Sequence, residues 1–235
     1  MSKICVSIAT DRLVSLKKQI EKAFVSGADF VEIRFDFLHL TDIENALKLV
    51  ENFKSKAVFT IRSKEEGGKF RGSNKDRITL LKKLSLSRPM LLDVEFNTIK
   101  NAPNLLRFLR NRGILTLISW HDFDKTPSND KLIEMLHKMK SYSYYVKIVT
   151  TAHDIQDALR VLDLYRSTGK LHLIAFAMGD AGIISRIFCT TVGAAPFTYA
   201  ALDEGIAPGQ LTVSQMREIY NRINTQHRKQ NADPS

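Results

Sequence analysis

The chain has 235 residues, 44% of them hydrophobic, and a formal net charge of +10, enough for one large α/β core or two small domains. Its basic residues are scattered (Lys17, Lys18 and Lys22; Lys82 and Lys83; Arg107, Arg110 and Arg112), with no aromatic-rich basic stripe or zinc spacing. They read as solvated helix faces rather than a nucleic-acid surface, although a positive field also draws in small anions. Two cysteines, Cys5 and Cys189, cannot staple a domain of this size, so a reducing cytoplasm is the expected location.

The first apolar run, residues 4–9, closes at Asp11 and Arg12. It is too short for a signal peptide's core, and no later stretch approaches a membrane span. Further strand-like runs follow at 30–34, 57–62, 90–95, 114–120, 144–149 and 172–178, with a weak last one at 192–195. Helical periodicity fills the gaps at 13–25, 42–53, 75–84, 102–112, 129–139, 154–165, 183–190 and 213–224. Strand–helix units repeating every ~30 residues predict a single-domain (β/α)8 TIM barrel over residues 1–225. Residues 226–235 form a polar tail expected to fray. A doubly wound open sheet is the alternative fold, but no Gly-x-Gly-x-x-Gly turn favours dinucleotide binding.

Residues two apart on a strand share a face. By that rule Glu32 and Arg34 oppose Val31 and Ile33, and Thr60 and Arg62 oppose Phe59 and Ile61. Asp93 and Glu95, Ser119 and His121, and Lys147 repeat the pattern. Each polar set lies at the C-terminal end of its run, where parallel barrels carry their sites, so a single polar site is expected. Arg34 with Asp36 could instead cap a loop, and Lys147 alone could be an edge or snorkelling lysine. An amine and an imidazole ending consecutive strands suggest proton abstraction beside a carbonyl held as an iminium.

Loops add candidates. The stretch Glu65-Glu66-Gly67-Gly68-Lys69-Phe70-Arg71-Gly72 after the third strand is a poor phosphate loop and reads instead as a glycine-hinged lid. Ala207-Pro208-Gly209-Gln210 should lie at the barrel top, and Arg186 should open the helix after the seventh strand or be an ordinary surface arginine. Metal binding finds no support: there is no His-Glu-x-x-His, no cysteine pair, and the six histidines are dispersed.

Taken together, several segments resemble the type I 3-dehydroquinate dehydratases. They are Glu32-Ile33-Arg34-Phe35-Asp36, Thr60-Ile61-Arg62 with Glu66-Gly67-Gly68, Asp93-Val94-Glu95, and Ser119-Trp120-His121-Asp122-Phe123 with Thr126-Pro127. Lys147-Ile148, Met178-Gly179, Ser185-Arg186 and Ala207-Pro208-Gly209-Gln210 complete the set across nearly the whole chain. The resemblance implies a (β/α)8 barrel that dehydrates 3-dehydroquinate to 3-dehydroshikimate with no metal or organic cofactor, commonly as a homodimer. It implies that Lys147 forms a Schiff base, that His121 is the general acid/base, and that Glu66 is the carboxylate paired with it. It further implies that Arg186 receives the substrate carboxylate, with Gln210 nearby, and that Glu32, Arg34 and Arg62 hold the ring hydroxyls. Family members often have serine where this chain has Ile206, so a serine contact does not carry over. The competing readings are a class I aldolase barrel using the same lysine and, outside enzymes, a basic nucleic-acid-binding module.

Overall fold

The computed structural model describes residues 2–203 and 209–230. Eight strands form one parallel sheet: β1 (Ile4–Ile8), β2 (Phe30–Arg34), β3 (Ala57–Thr60), β4 (Leu91–Glu95), β5 (Thr116–His121), β6 (Tyr145–Thr151), β7 (His172–Met178) and β8 (Thr198–Ala200). Their order is β7-β6-β5-β4-β3-β2-β1-β8, so consecutive strands are neighbours and β1 bridges to β8. The sheet is a nearly closed barrel, with no ladder between β7 and β8 among the described residues.

Helices α1 (Leu13–Val25), α2 (Ile43–Val50), α3 (Asn74–Leu86), α4 (Phe96–Asn101), α5 (Pro103–Asn111), α6 (Asn129–Met139), α7 (Ile155–Asp163), α8 (Ile183–Phe188) and α9 (Val213–Gln230) wrap the outside. None of the described helices is long and apolar enough to cross a membrane. Crossover helices force parallel pairing and cover the outer sheet face, so outward positions such as Val6, Val31, Phe59, Val94, Ile118 and Ile148 are apolar and buried. A second apolar cluster lies inside the barrel, formed by Cys5, Val58, Leu91, Leu117, Ile174 and Tyr199 among others. Polar residues sit above it on the same inward-facing parity, towards the strands' C-terminal ends.

Three expectations need correction. The eighth strand is not 192–195 but Thr198–Ala200. Val192 N and Gly193 N bond Phe188 O, Ala195 N bonds Cys189 O, and Ala194 has φ +56, so this apolar stretch terminates α8. The short helix α4 follows β4 directly and was not anticipated, and α9 continues to Gln230, beyond the fading of its apolar period at 224. Residues 204–208 and 231–235, including Ile206, Ala207 and Pro208, lie outside the described residues.

The last helix is tied back to the first strands by Arg217. Its Nε donates to Gly27 O at 2.7 Å, its Nη1 to Ser2 O at 2.9 Å, and its Nη2 to Asp29. Asp29 Oδ2 also accepts from Ile4 N at 2.8 Å. Replacing Arg217 leaves two carbonyls and a carboxylate without their donor. Arg217→Met should therefore lower the free energy of urea unfolding by about 1–3 kcal/mol; a change below about 0.5 kcal/mol would show that this tie contributes nothing.

Candidate active site

The parallel register stacks the inward polar residues in rings. Ser7 lies beside Glu32, Arg34 beside Thr60, Thr60 beside Asp93, Glu95 beside Ser119, and Ser119 beside Lys147. Buried charges need partners, and here they have them. Glu32 accepts from Ser7 Oγ at 2.8 Å and Thr60 Oγ1 at 2.9 Å. Burial would raise its carboxyl, but Lys147, Arg34, Arg62 and the Ser7 bond bring it down to about 2. Arg62 donates to Ser119 Oγ at 2.7 Å and Asp93 Oδ2 at 2.8 Å, and Ser119 donates to Asp93 Oδ1 at 2.7 Å. Glu95 accepts from Ser63 N at 2.7 Å and from Arg77 Nη1 at 2.6 Å.

Lys147 is 5% exposed, and its ammonium lies 3.5 Å from Glu32 Oε1 and 3.9 Å from Asp93 Oδ2. It is neither an edge nor a snorkelling lysine: β6 is flanked by β5 and β7, and Nζ ends inside the barrel. His121 closes β5 and places Nδ1 2.9 Å from Glu66 Oε2. The turn that delivers Glu66 depends on two glycines. Gly67 has φ +74, and a Cβ there would meet the Phe123 ring at 2.4 Å; a Cβ at Gly68 would meet Arg62 O at 2.1 Å. Gly68 N bonds Ser63 O at 2.7 Å and Lys69 N bonds Asp36 Oδ2 at 3.0 Å, so the loop is folded onto the barrel mouth. Phe123 stacks on the His121 ring at 6.0 Å.

Burial pushes the Glu66 carboxyl up to about 8, against the pull of Arg62. Burial, then the charges of Arg62, Lys147 and Arg34, push the His121 imidazole well below its ordinary range. The imidazole is thus held neutral, the state in which it can take a proton.

Arg186 stands apart from the other cations. It is 2% exposed, on α8, one turn in rather than at the helix opening, and it is no surface arginine. Its Nη1 reaches Tyr199 O at only 3.5 Å, and Nε and Nη2 have no partner among the described residues. Burial alone lowers its guanidinium to about 10. An unpaired buried guanidinium is costly unless an anion completes it.

All eight residues singled out from the sequence, Lys147, His121, Glu66, Glu32, Arg34, Arg62, Arg186 and Gln210, line one cavity of about 600 Å³ counted out to its mouth. Arg34 Nε and Nη2 donate to Asp36 at 2.8 and 2.7 Å, so the loop-cap reading also holds for it. Sequence reasoning missed Ser7, Arg77, Phe176 and Tyr199. Ser7 obeys the same parity rule and was within reach of it. Tyr199 was lost when the eighth strand was placed too early, and Arg77 comes from a helix, where strand parity says nothing. Among the described residues no cluster of three or more His, Cys, Asp or Glu side chains could hold a metal ion.

Fold and site together define a (β/α)8-barrel enzyme with a lysine, an imidazole and an arginine converging at its C-terminal face. The Type I 3-dehydroquinase family profile matches residues 4–227. The 3-dehydroquinate dehydratase of Dehalococcoides mccartyi is 37% identical over 223 residues, spanning 94% of this chain and 95% of that protein. That of Pyrococcus abyssi is 39% identical over 206 residues, spanning 87% and 92%. The solved 3-dehydroquinate dehydratase from Aquifex aeolicus superposes with a TM-score of 0.79 at 32% identity, covering 94% of this chain and 98% of that one. The chain belongs to the type I 3-dehydroquinase family and is an enzyme of the dehydratase class.

The Glu66–His121 pair titrates as a unit. Above about pH 8 Glu66 is ionised, Nδ1 donates to it, and Nε2 keeps a free lone pair. Below that pH the Glu66 hydroxyl donates to Nδ1, and the ring proton moves to Nε2. The base form is therefore gained as pH rises. Glu66→Gln removes the carboxyl that takes up a proton near pH 8, so the change of ring tautomer near that pH, followed by nitrogen-15 NMR, should disappear. A tautomer change that persists near pH 8 in the variant would separate Glu66 from the imidazole.

Proposed function

We propose that this enzyme dehydrates 3-dehydroquinate to 3-dehydroshikimate in the shikimate pathway, through a Schiff base on Lys147 with His121 as general acid/base. The observation that carries this reading is Arg186. Its guanidinium is buried in the same cavity as Lys147 and His121 with Nε and Nη2 unbonded among the described residues, which fits a small carboxylate bearing a reactive carbonyl. The relatives named above act on 3-dehydroquinate by their names, and the net charge of +10 favours the approach of an acid.

Expelling a tertiary hydroxyl β to a ketone is slow because the intervening C2 proton is weakly acidic. The Lys147 ammonium gives a proton to His121, the neutral amine adds to the C3 carbonyl, and the carbinolamine oxygen takes that proton back and leaves as water, giving an iminium. That iminium is a stronger electron sink than the ketone. His121 takes the C2 proton through Nε2, and the electron pair moves into an enamine. The enamine expels the C1 hydroxyl, which recovers the proton from His121 and departs as water. A second water then hydrolyses the iminium, freeing the amine and the enone product. Glu66 orients the ring and shares its proton. Glu32, Arg34, Arg62 and Gln210 line the cavity where ring hydroxyls need fixed polar neighbours.

The direct test follows the growth of conjugated-enone absorbance from 3-dehydroquinate. Borohydride added during turnover should fix a covalent adduct on Lys147, and Lys147→Ala should lose both adduct and product. His121→Ala should retain a trappable adduct while losing product by about 10²–10⁴-fold or more. An adduct mapped to another lysine, or a fully active His121→Ala enzyme, overturns the mechanism. Arg186→Ala removes a charge-assisted contact of ~1.5–3 kcal/mol and should lower kcat/KM by about tenfold to a hundredfold or more. An unchanged kcat/KM removes Arg186 from substrate binding.

A further inference from the structure

Tyr199 is 2% exposed and projects inward from β8 beneath Lys147, whose Nζ lies 4.0 Å from the centre of its ring. The two carboxylates flanking Nζ, at 3.5 and 3.9 Å, are too far for good hydrogen bonds, so the ring face is among its nearest supports. The ring itself is held by Phe197 at 5.7 Å and Phe176 at 6.0 Å, and the Arg186 guanidinium lies 4.2 Å above Phe176. The two cations nearest the reaction thus rest on adjoining aromatic faces. The Tyr199 hydroxyl is buried and has no hydrogen-bond partner among the described residues.

We propose that Tyr199 is a positioning residue whose ring face holds Nζ and stabilises the iminium formed there, with its hydroxyl dispensable. This rests on the Schiff-base reading of Lys147. Overall, an ammonium and a ketone give an iminium and water, so Nζ is positively charged before and after imine formation, with the neutral amine and carbinolamine between. An aromatic quadrupole attracts that charge in either form. It makes no directional bond that must break when the lone pair turns towards the carbonyl carbon. A carboxylate at hydrogen-bond distance would retain the ammonium proton instead. The hydroxyl adds little, since removing an unpartnered polar atom strands no neighbour.

The test replaces Tyr199 by Phe, by Leu, and by phenylalanines carrying one, two and three ring fluorines, and measures the rate of borohydride trapping with 3-dehydroquinate. Tyr199→Leu should slow trapping by about tenfold to thirtyfold, and Tyr199→Phe should restore it to within about threefold of the parent. Across the fluorinated series the rate should fall stepwise as electron density leaves a ring of nearly constant size. Binding of an analogue with the same carboxylate and hydroxyls but no ketone should stay level. A flat fluorine series, or Tyr199→Phe as slow as Tyr199→Leu, overturns the proposal, and the fluorine series decides even if the leucine variant does not fold. Absence of a Lys147 adduct in the parent enzyme would instead remove the Schiff-base reading itself.

Discussion

Charge inside the barrel is the constraint on which the rest depends. Glu32, Arg62, Asp93, Glu95 and Lys147 are each exposed by 5% or less, in an interior where an unpaired charge would cost several kcal/mol. The parallel register answers this by bringing complementary groups from neighbouring strands to the same height. Arg62 from the end of β3 reaches Asp93 on β4 and Ser119 on β5; Glu32 on β2 is met by Ser7 from β1 and Thr60 from β3. The apolar floor below and the helices outside keep water away, which makes each of these contacts stronger.

Against that satisfied frame, the incomplete groups identify where a ligand would act. Arg186 Nε and Nη2, Glu66 Oε1 and the Tyr199 hydroxyl are buried without partners among the described residues, and all three residues border the same cavity. They divide into different physical types. Arg186 carries a charge that an anion would complete, whereas Glu66 relieves its burial by holding a proton near pH 8. Tyr199 has a neutral phenol, kept so by burial, and its ring rather than its oxygen faces the lysine. Among the described residues, the buried side-chain nitrogens and oxygens left without partners all border this one mouth.

The loop bearing Glu66 couples backbone conformation to acid–base chemistry. Gly67 must adopt a left-handed conformation, and Gly68 must pass within van der Waals contact of Arg62 O, or the carboxyl would not reach Nδ1. Phe123, packed over Gly67 and stacked on His121, covers the same pair from the solvent side. The imidazole's Nδ1 partner therefore depends on a turn, while its neutrality comes from burial and neighbouring cations.

The sequence by itself determined the alternation of strands and helices, the inward parity of Glu32, Arg34, Thr60, Arg62, Asp93, Glu95, Ser119, His121 and Lys147, and the end of the barrel at which they meet. Those properties are local: a side-chain period of two and a crossover helix require nothing beyond neighbouring residues. The eighth strand escaped because 192–195 is apolar enough for a strand yet is spent closing α8, a choice made by bonds to Phe188 and Cys189. Tyr199 escaped with it. Only the tertiary structure decided that Arg34 is occupied by Asp36 while Arg186 keeps Nε and Nη2 unbonded among the described residues, that Arg77 reaches Glu95 from a helix, and that Lys147 lies over an aromatic ring. Pairing among buried charges depends on distances between segments far apart in the chain, and residue order contains no measure of those distances.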